Sequence, residues 1–360
     1  MVNNESSSQT IQSQVIDFMR FPMIIGVLFI HNSTSTVQIP GAEFGTEAFM
    51  PVFYYSSKLF SQVLGRIAVP LFFFMSGFLF FLNMEKFNKD SYKNKLQSRV
   101  ETLLIPYLFW NFVTIAFYFV MTSIPYTASF VNGEVDIKHI FSYLWVTENG
   151  PPLAYQFWFI RDLMIAVVLT PIIYLCIKYG KIYSIIILGI LWYCGLWIKI
   201  SGLCTCLFFF TFGAYLGMNK RNLLEDFGKI QKLSFIFFPP IAIIDLLTKQ
   251  YDFNIYIQKV DIIVGIIFCF NLVGWLIGKG KVRPVPFLSS AAFFVYAVHD
   301  PFFMIPIRKI SYMLLRPATD FACTCLYFLN VISVALLTLG FYYILKLFLP
   351  KFTAIITGGR

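Results

Sequence analysis

Charged side chains are scarce in this chain, since Asp, Glu, Lys and Arg together make up only 13% of its 360 residues. A soluble domain has about 25% charged residues, so this composition argues against an ordinary soluble enzyme. Histidine is rarer still, with three residues, and none of the seven cysteines forms the C-x-x-C pair of metal and redox sites. We therefore expect no metal centre, and we interpret the cysteines as small buried hydrophobic residues.

Apolar residues are correspondingly abundant, at 58% of the chain, and they fall into ten runs that are typical of membrane spans. The runs lie near Val15–Ser33, Leu59–Leu82, Thr102–Ile124, Phe157–Ile177, Ile182–Ile200, Leu203–Met218, Leu233–Leu247, Val260–Ile277, Phe287–Ile307 and Phe321–Leu349. The sixth and seventh runs are short, and Pro239-Pro240 predicts a kink or a break in the seventh. The predicted fold class is an all-α, polytopic integral membrane helical bundle with about ten transmembrane helices.

The net charge of +10 is explained by where the basic residues lie relative to these spans. With the N-terminus inside, 17 of the 28 Lys and Arg residues fall in inner segments and 8 in outer segments. The positive-inside rule therefore predicts that both termini are cytoplasmic. A cluster of Arg308, Lys309 and Arg316 on the outer side runs against this rule. Because there is no basic soluble domain, we expect no nucleic-acid partner.

The spans also divide the chain. We expect residues 1–14 to form a cytoplasmic N-terminal tail, residues 15–349 the transmembrane domain and residues 350–360 a cytoplasmic C-terminal tail. The N-terminal segment has no Lys or Arg, so we expect the first span, and not a cleaved signal peptide, to direct insertion. The longest outer connections, near Thr34–Ser57 and Pro125–Gln156, are too short for a core of their own. The activity is therefore expected within the bundle or at its mouths.

Arg20 and His31 stand out on the first span, because the ten residues between them include no charged side chain. Eleven helical steps of about 100° complete three turns with roughly 20° left over, so the two side chains share one face. They lie about 16 Å apart along the helix axis. Ionisable residues in lipid usually face the bundle interior and mark a functional site. One of the two is a fixed cation, and the other exchanges protons near neutral pH.

Other intramembrane charges are predicted to lie near the outer end of the bundle. Alternating span directions place them in the outer half, so we expect one cavity there, with Arg20 below it toward the cytoplasm. The side chains expected around this cavity are His31, Arg66, Arg161 and His299. Arginine suits phosphate and carboxylate oxygens, and histidine can take a proton from a hydroxyl that attacks an acyl carbon. This combination indicates group transfer from a large anionic donor.

Each of these residues also has a purely structural interpretation. Arg20 alone is compatible with an interfacial anchor that snorkels to the inner surface. The adjacent Arg161 and Asp162 are compatible with a buried ion pair that joins helices. His31, near a helix end, is compatible with a hydrogen-bonded polar residue, whereas Arg66 has no adjacent partner, which favours a functional role.

Three further polar residues are not predicted to take part in chemistry. His139 lies in an outer loop among acidic and basic residues, and we interpret it as solvated. Asp245 and Asp261 lie near the outer ends of spans, where we expect them to face water or to pair with arginines.

Two other functions remain open on the residues alone. A transporter or exporter of a glycan or lipid would line an anion path with the same cations, although the chain shows no internal repeat of the kind that many transporters have. A structural scaffold would tolerate apolar replacement of Arg20, His31 and Arg161. Both alternatives differ from a transferase in forming no covalent product.

The motifs of the chain, taken in order, resemble those of the acyltransferase 3 family of membrane O-acyltransferases. The resemblance rests on six segments that span nearly the whole chain: IDFMRFPMIIGVLFIHNS, RIAVPLFFFMSGFLF, KNKLQSRVETLLIPYLFW, FWFIRDL, FFFTFGAYLG and FLSSAAFFVYAVHDPF. The first resembles the family's Arg-x10-His signature, and the fourth is similar to its Trp-Phe-x-Arg-Asp-Leu motif. Pro22 stands where the family usually has a bulky aliphatic residue.

The resemblance implies His31 as the catalytic histidine and Arg20 as the donor-orienting or structural arginine. The further catalytic residues that it implies are Arg161 and His299, and the donor-binding residues are Arg66 and Arg99. It implies acetyl-CoA or another acyl-CoA as the cytoplasmic donor, and a hydroxyl of a surface glycan, a lipid-linked sugar or a related molecule as the acceptor. The expected location is the cytoplasmic (inner) membrane of a bacterium, among membrane lipid. The appended extracytoplasmic hydrolase-like domain of some members is not expected.

Overall fold

The structure, a computed structural model, describes residues 2–32, 37–39, 42–44, 50–82, 84–124, 140–145, 152–196 and 202–359. The first half of the chain forms helices α1 (Val2–His31), α2 (Pro51–Lys58), α3 (Ala68–Leu82), α4 (Lys89–Arg99), α5 (Ile105–Ser123), α6 (Ile140–Trp145), α7 (Trp158–Val168) and α8 (Thr170–Cys194). The second half forms α9 (Leu203–Met218), α10 (Leu223–Gly228), α11 (Gln231–Leu247), α12 (Asn254–Gly278), α13 (Pro286–Val298), α14 (Met304–Leu315), α15 (Asp320–Phe348) and α16 (Pro350–Thr357). Strands β1 (Val37–Ile39) and β2 (Ala42–Phe44) pair antiparallel after α1.

Several helices join end to end through turns that are wider or tighter than the turns of an α-helix. Three π-helical turns are Leu59–Leu64 before α3, Val100–Leu104 between α4 and α5, and His299–Phe303 between α13 and α14. Two 3-10 turns are Gly65–Ile67, which leads into α3, and Tyr155–Phe157, which leads into α7. Single π-helical turns often occur at functional sites, and the third of these contains the predicted residue His299.

The predicted membrane-spanning character is confirmed. Seven helical segments among the described residues are long and apolar enough to cross a bilayer, and α9 is a shorter apolar helix. Each of the ten predicted runs coincides with helix over nearly all of its described residues. The fourth and fifth predicted spans share α8, in which the chain turns at Lys181 (φ 48°, ψ −132°). The protein is therefore an all-α polytopic membrane bundle with one small strand pair among the described residues.

The internal prolines are accommodated within helices. α1 continues as one helix through Pro22, which preserves the register between Arg20 and His31. α11 likewise continues through Pro239 and Pro240, so the seventh span is not broken there. In membrane proteins, neighbouring helices can satisfy the backbone groups that a proline frees.

Helices α3 and α9 pack so closely that their backbones touch at glycines. A Cβ atom added at Gly77 would lie 2.0 Å from the Phe210 carbonyl oxygen, and one added at Gly213 would lie 2.0 Å from that of Phe74. Small residues allow such close approach in a membrane, where no hydrophobic force between helices drives association. Phe74 and Phe210, whose carbonyls approach these glycines, are both fully buried.

Helix α1 lies inside the bundle, in contact with α3, α12, α13 and α15. The end that carries His31, which we name the outer end, is fastened by the Asn32 side-chain amide, which donates to the Tyr327 carbonyl at 2.8 Å. Trp110 Nε1 on α5 donates to the Ile356 carbonyl at 2.9 Å, so α16 packs against α5. The hydrogen bond from Asn32 therefore anchors the outer end of α1 to α15.

Candidate functional site

The two predicted histidines meet where α1 approaches the end of α13. The ring centroids of His31 and His299 lie 4.8 Å apart in an edge-to-face arrangement. Nδ1 of His31 lies 3.4 Å from a carboxylate oxygen of Asp300. The His31 and Asp300 side chains are only 14% and 20% exposed, so protein covers most of this group. Two imidazoles and a carboxylate therefore form one polar cluster at the outer end.

The partners of the two rings indicate where their protons lie. His299 Nδ1 lies 2.7 Å from the Tyr296 carbonyl oxygen. Because a carbonyl only accepts, we assign a proton to His299 Nδ1, which leaves Nε2 as an acceptor. This Nε2 is buried and has no hydrogen-bond partner among the described residues. Asp300 beside His31 Nδ1 likewise favours a proton there, which leaves His31 Nε2 able to accept one.

A local break in the helix brings Asp300 into the site. Its backbone is extended (φ −131°, ψ 132°) within the π-helical turn, in keeping with the restriction that Pro301 places on the residue before it. Gln156 holds this turn, because its side-chain amide donates to the carbonyls of Ala297, at 3.2 Å, and of Asp300. Tyr296 Oη donates in return to the Gln156 carbonyl at 2.6 Å. The turn before α7 is thereby fastened to the histidine cluster.

Tyr155 and Arg66 lie on the outer approach to His31. The ring centroid of Tyr155 is 5.9 Å from that of His31, and Tyr155 is 53% exposed. Arg66 is exposed, and it donates to Gln62 Oε1 from Nε at 3.2 Å and from Nη2 at 2.8 Å. Arg66 is therefore a cation at the outer mouth and not a direct partner of His31.

An internal cavity of about 240 Å³ lies below the histidines, toward the inner end. Arg20 and Arg99 line it from different helices, and Tyr296 of α13 also lines it. Apolar side chains form most of the remaining wall: Ile16, Ile24, Val27, Val69, Phe72, Met75, Leu79, Leu103, Phe159, Ile160, Leu163, Ala292 and Phe293. Neither histidine lines the cavity, but Tyr296 does, and the carbonyl of Tyr296 accepts the hydrogen bond of His299.

A second cleft, of about 400 Å³, lies at the inner end and shares Arg20 with the cavity. Arg20 Nη2 is 3.3 Å from a carboxylate oxygen of Asp17, and the Arg20 side chain is 35% exposed. Lys220 and Arg221 also line this cleft. Arg20 therefore stands at the passage from the inner cleft to the cavity, and the cations around it suit an anionic ligand.

Arg221 is held in place by Asp226 on α10. Arg221 Nε lies 2.6 Å from Asp226 Oδ2, and Lys229 Nζ lies 3.3 Å from Asp226 Oδ1. The hydrogen bond from Arg221 stabilises the charged carboxylate and therefore lowers the pKa of Asp226 below its ordinary value. This ion pair orders the basic edge of the inner cleft.

Arg161 does not join the histidines. It is 1% exposed, its Nε and Nη2 both lie 3.0 Å from Asp162 Oδ1, and its Nη1 donates to the Trp145 carbonyl at 3.0 Å. Tyr107 Oη donates to the neighbouring Leu144 carbonyl. Arg161 therefore forms a buried ion pair with Asp162 within α7, and its bond to the Trp145 carbonyl joins α7 to α6. Of the residues expected around one outer cavity, the structure brings together His31 and His299, with Arg66 at the mouth.

Asp245 and Asp261 differ from the expectation, since both are fully buried and neither faces water. The carboxylate of Asp245 pairs with Lys249, with Nζ 2.9 Å from both oxygens, and not with an arginine. The carboxylate oxygens of Asp261 have no hydrogen-bond partner among the described residues. The contact between α11 and α12 covers both residues, which position near a span end does not reveal. His139 lies outside the described residues.

Not all of the cysteines are buried, as the sequence had led us to expect. Cys206 and Cys323 are buried, but Cys176, Cys194 and Cys325 are exposed, and in a membrane bundle an apolar exposed position faces lipid. Within the described ranges, no group of three or more His, Cys, Asp or Glu side chains is arranged to hold a metal ion.

The fold and the site together define an integral membrane protein in which two histidines and an aspartate lie above a cavity lined by two arginines. The sequence model of the acyltransferase 3 family, described as an acyltransferase domain, matches residues 14–347. The chain belongs to this family, and it is therefore a membrane acyltransferase that transfers groups other than aminoacyl groups. It is also 22% identical over 364 residues to the succinoglycan biosynthesis protein ExoH of Rhizobium meliloti (strain 1021). The aligned region covers 96% of this chain and 92% of that protein. No solved structure matches the chain.

Proposed function

We propose that this acyltransferase moves an acetyl or other short acyl group from cytoplasmic acyl-CoA to a hydroxyl of a surface glycan, a lipid-linked sugar or a related acceptor. The observation that carries the proposal is the contact of His31 with His299 and Asp300 above the internal cavity. The name of the relative, a succinoglycan biosynthesis protein, supports a glycan acceptor. The match to an acyltransferase domain favours acyl transfer over transport of a glycan or lipid.

The donor is proposed to enter from the inner cleft. Arg20, Lys220 and Arg221 line that cleft, and cations of this kind suit the phosphates of a CoA. Arg20 and Arg99 also line the cavity that leads toward the histidines. Because Arg20 and His31 are about 16 Å apart along α1, a donor must be long to contact both, as an acyl-CoA is. This geometry favours a phosphate-bearing thioester over a small free acyl donor.

The transfer is proposed to use His31 as the general base. His31 Nε2 takes the proton of the acceptor hydroxyl while the hydroxyl oxygen attacks the thioester carbon. The carbon–sulfur bond then breaks, and the imidazolium returns the proton to the CoA thiolate. In the alternative order, His31 Nε2 attacks the thioester carbon, and the carbon–sulfur bond breaks to give an acyl-imidazolium and the CoA thiolate. The acceptor hydroxyl then attacks the acyl carbon, its proton passes to the thiolate, and the carbon–nitrogen bond breaks to restore the neutral imidazole. In both orders Asp300 stabilises the positive charge that develops on His31.

The other predicted residues receive different roles in this proposal. His299 orients His31 by ring contact and offers a second acceptor nitrogen, while Arg66 guides an anionic acceptor at the outer mouth. Arg161, in its ion pair with Asp162, is a positioning residue that fastens α6 beside the site. We propose the cytoplasmic membrane of a bacterium as the location, with tails at residues 1–14 and 350–360 on the cytoplasmic side.

Replacement of the proposed base tests the function. Cells that lack the chain are complemented with wild type, His31→Ala or His139→Ala, and the O-acyl content of their surface glycans and lipids is measured by mass spectrometry. We expect His31→Ala to abolish the modification at normal protein level and His139→Ala to retain it. Undiminished O-acyl content with His31→Ala would reject the assignment of the base.

A further inference from the structure

The break between α13 and α14 leaves two backbone carbonyls without the donors that a regular α-helix would give them. In such a helix, each carbonyl accepts from the N–H group four residues later. For Ala297 that residue is Pro301, which has no N–H group. For Asp300 it is Met304, whose N–H donates to the His299 carbonyl instead. An unpaired carbonyl inside the bundle is costly, so both groups need a donor from elsewhere.

The side chain of Gln156 supplies both donors. Its Nε2 donates to the Ala297 carbonyl at 3.2 Å and to the Asp300 carbonyl. An amide nitrogen carries two hydrogens, so one side chain can serve both acceptors. The match is specific, because the two acceptors are the two carbonyls that lose their helical donors at the break.

Gln156 is itself held firmly. It is 2% exposed, and it lies in the 3-10 turn before α7, where the Phe157 N–H donates to the Ala154 carbonyl at 2.9 Å. Tyr296 Oη donates to the Gln156 carbonyl at 2.6 Å. The glutamine is therefore a buried support, anchored both to its own turn and to α13.

The effect of this support reaches His31 through Asp300. The carbonyl of Asp300 accepts from Gln156, while its carboxylate lies 3.4 Å from His31 Nδ1. Because the Asp300 backbone is extended, the regular bonding of a helix does not fix its direction. The bond from Gln156 to the Asp300 carbonyl is therefore what holds this residue with its carboxylate toward the imidazole.

We infer that Gln156 is a positioning residue for acyl transfer, and that it acts by holding the Asp300 carboxylate against His31. The inference rests on the function proposed above, in which this carboxylate stabilises the positive charge that develops on His31. Gln156 takes no proton and no acyl group. Its contribution is to keep the charge in place before the reaction begins.

The test replaces Gln156 by methionine, which keeps the length of the side chain and removes both donor hydrogens. The kcat and the KM for acetyl-CoA are measured in proteoliposomes, with extracted surface glycan as acceptor, for wild type, Gln156→Met, Asp300→Asn and the double variant. We expect kcat to fall about 10- to 100-fold with Gln156→Met, because a displacement of about 1 Å can cost up to roughly 100-fold. The KM should stay unchanged, since Gln156 lines neither the inner cleft nor the cavity. In the Asp300→Asn background, Gln156→Met should lower kcat by less than about threefold, because the charge that it positions is gone.

Asn271→Leu is the matched control for the loss of a buried amide. Asn271 is buried where α12 meets α10 and α11, and its Nδ2 donates to the Phe227 carbonyl at 3.1 Å and to Ser234 Oγ at 3.0 Å. We expect Asn271→Leu to lower the temperature of thermal unfolding while the kcat of the folded protein matches wild type. This result would separate a general loss of packing from the loss of a positioned carboxylate.

A wild-type kcat with Gln156→Met, or an equal loss in the presence and absence of the Asp300 charge, would overturn the inference. An equal loss with Asn271→Leu would overturn it as well. If Gln156→Met does not accumulate, Gln156→Asn takes its place, because its amide is one methylene too short to reach both carbonyls; the same outcomes then decide. His31→Ala is assayed in parallel: activity retained by that variant would refute the proposed function, whereas its inactivity beside a wild-type rate for Gln156→Met would refute only the positioning role.

Discussion

The contact between His31 and Asp300 predicts a graded loss of activity when the carboxylate is replaced by an amide. Asp300→Asn keeps the shape of the side chain but removes the charge that faces an imidazolium in the transition state. Two unit charges 3.4 Å apart attract by about 5 kcal/mol at an effective dielectric constant of about 20. The amide oxygen still accepts a hydrogen bond, so we expect about half of this attraction, roughly 2–3 kcal/mol, to be lost. That loss corresponds to a rate roughly 30- to 150-fold lower.

The assay follows label from radioactive acetyl-CoA into extracted surface glycan, with purified protein in proteoliposomes. Asp252→Asn serves as the matched control, because Asp252 is an exposed residue of the turn before α12. We expect Asp300→Asn to lie between wild type and His31→Ala, and Asp252→Asn to match wild type. An unchanged rate with Asp300→Asn would refute the inference that this carboxylate stabilises charge on His31.

Further predictions concern the structure that supports the site, and thermal unfolding of detergent-solubilised protein measures each of them. Arg161→Met leaves the buried Asp162 without its charge partner and should lower the free energy of unfolding by about 3–5 kcal/mol. The double variant Arg161→Met/Asp162→Leu should recover most of this loss, and additive losses of the two substitutions would contradict the ion pair. Gly213→Ala forces a Cβ atom against the Phe74 backbone and should cost about 1–3 kcal/mol, whereas Gly340→Ala, with no atom within 4 Å of the new Cβ, should be neutral. Because the pKa of Asp226 is lowered in the folded protein, its stabilising effect is present above the ordinary pKa of about 3.9 and disappears as pH falls through the lowered value. Asp226→Asn should therefore be less stable than wild type at neutral pH and equally stable in strong acid.

The helices of the bundle were largely predictable, because lipid demands long apolar segments whose backbone groups are satisfied internally. The shared face of Arg20 and His31 was predictable from helical periodicity, since α1 stays regular through Pro22. The sequence predicted that His31 and His299 lie at a similar depth in the membrane, but not that their rings are in contact. Depth does not determine which helices are neighbours, and for that reason Arg161 lies in a separate ion pair.

The parts of the site that sequence reasoning missed depend on irregular backbone. Asp300 faces His31 because an extended residue interrupts α13 and α14, and the signal for it was the Asp-Pro pair directly after His299. Tyr155 and Gln156 come from the turn before α7, and no periodic pattern marks them. The burial of Asp245 and Asp261 follows from the packing of α11 on α12, which a single sequence does not contain.

The central claim, that one donor bridges the inner cations and His31, is tested most directly by an experimental structure of the protein with a non-hydrolysable acyl-CoA analogue. The account predicts CoA phosphates in contact with Arg20 or Arg99, and an acyl carbon about 3–3.5 Å from His31 Nε2, which is the range of a reactive complex. A donor bound with its acyl carbon remote from His31, and with the cavity between them left open, would contradict it.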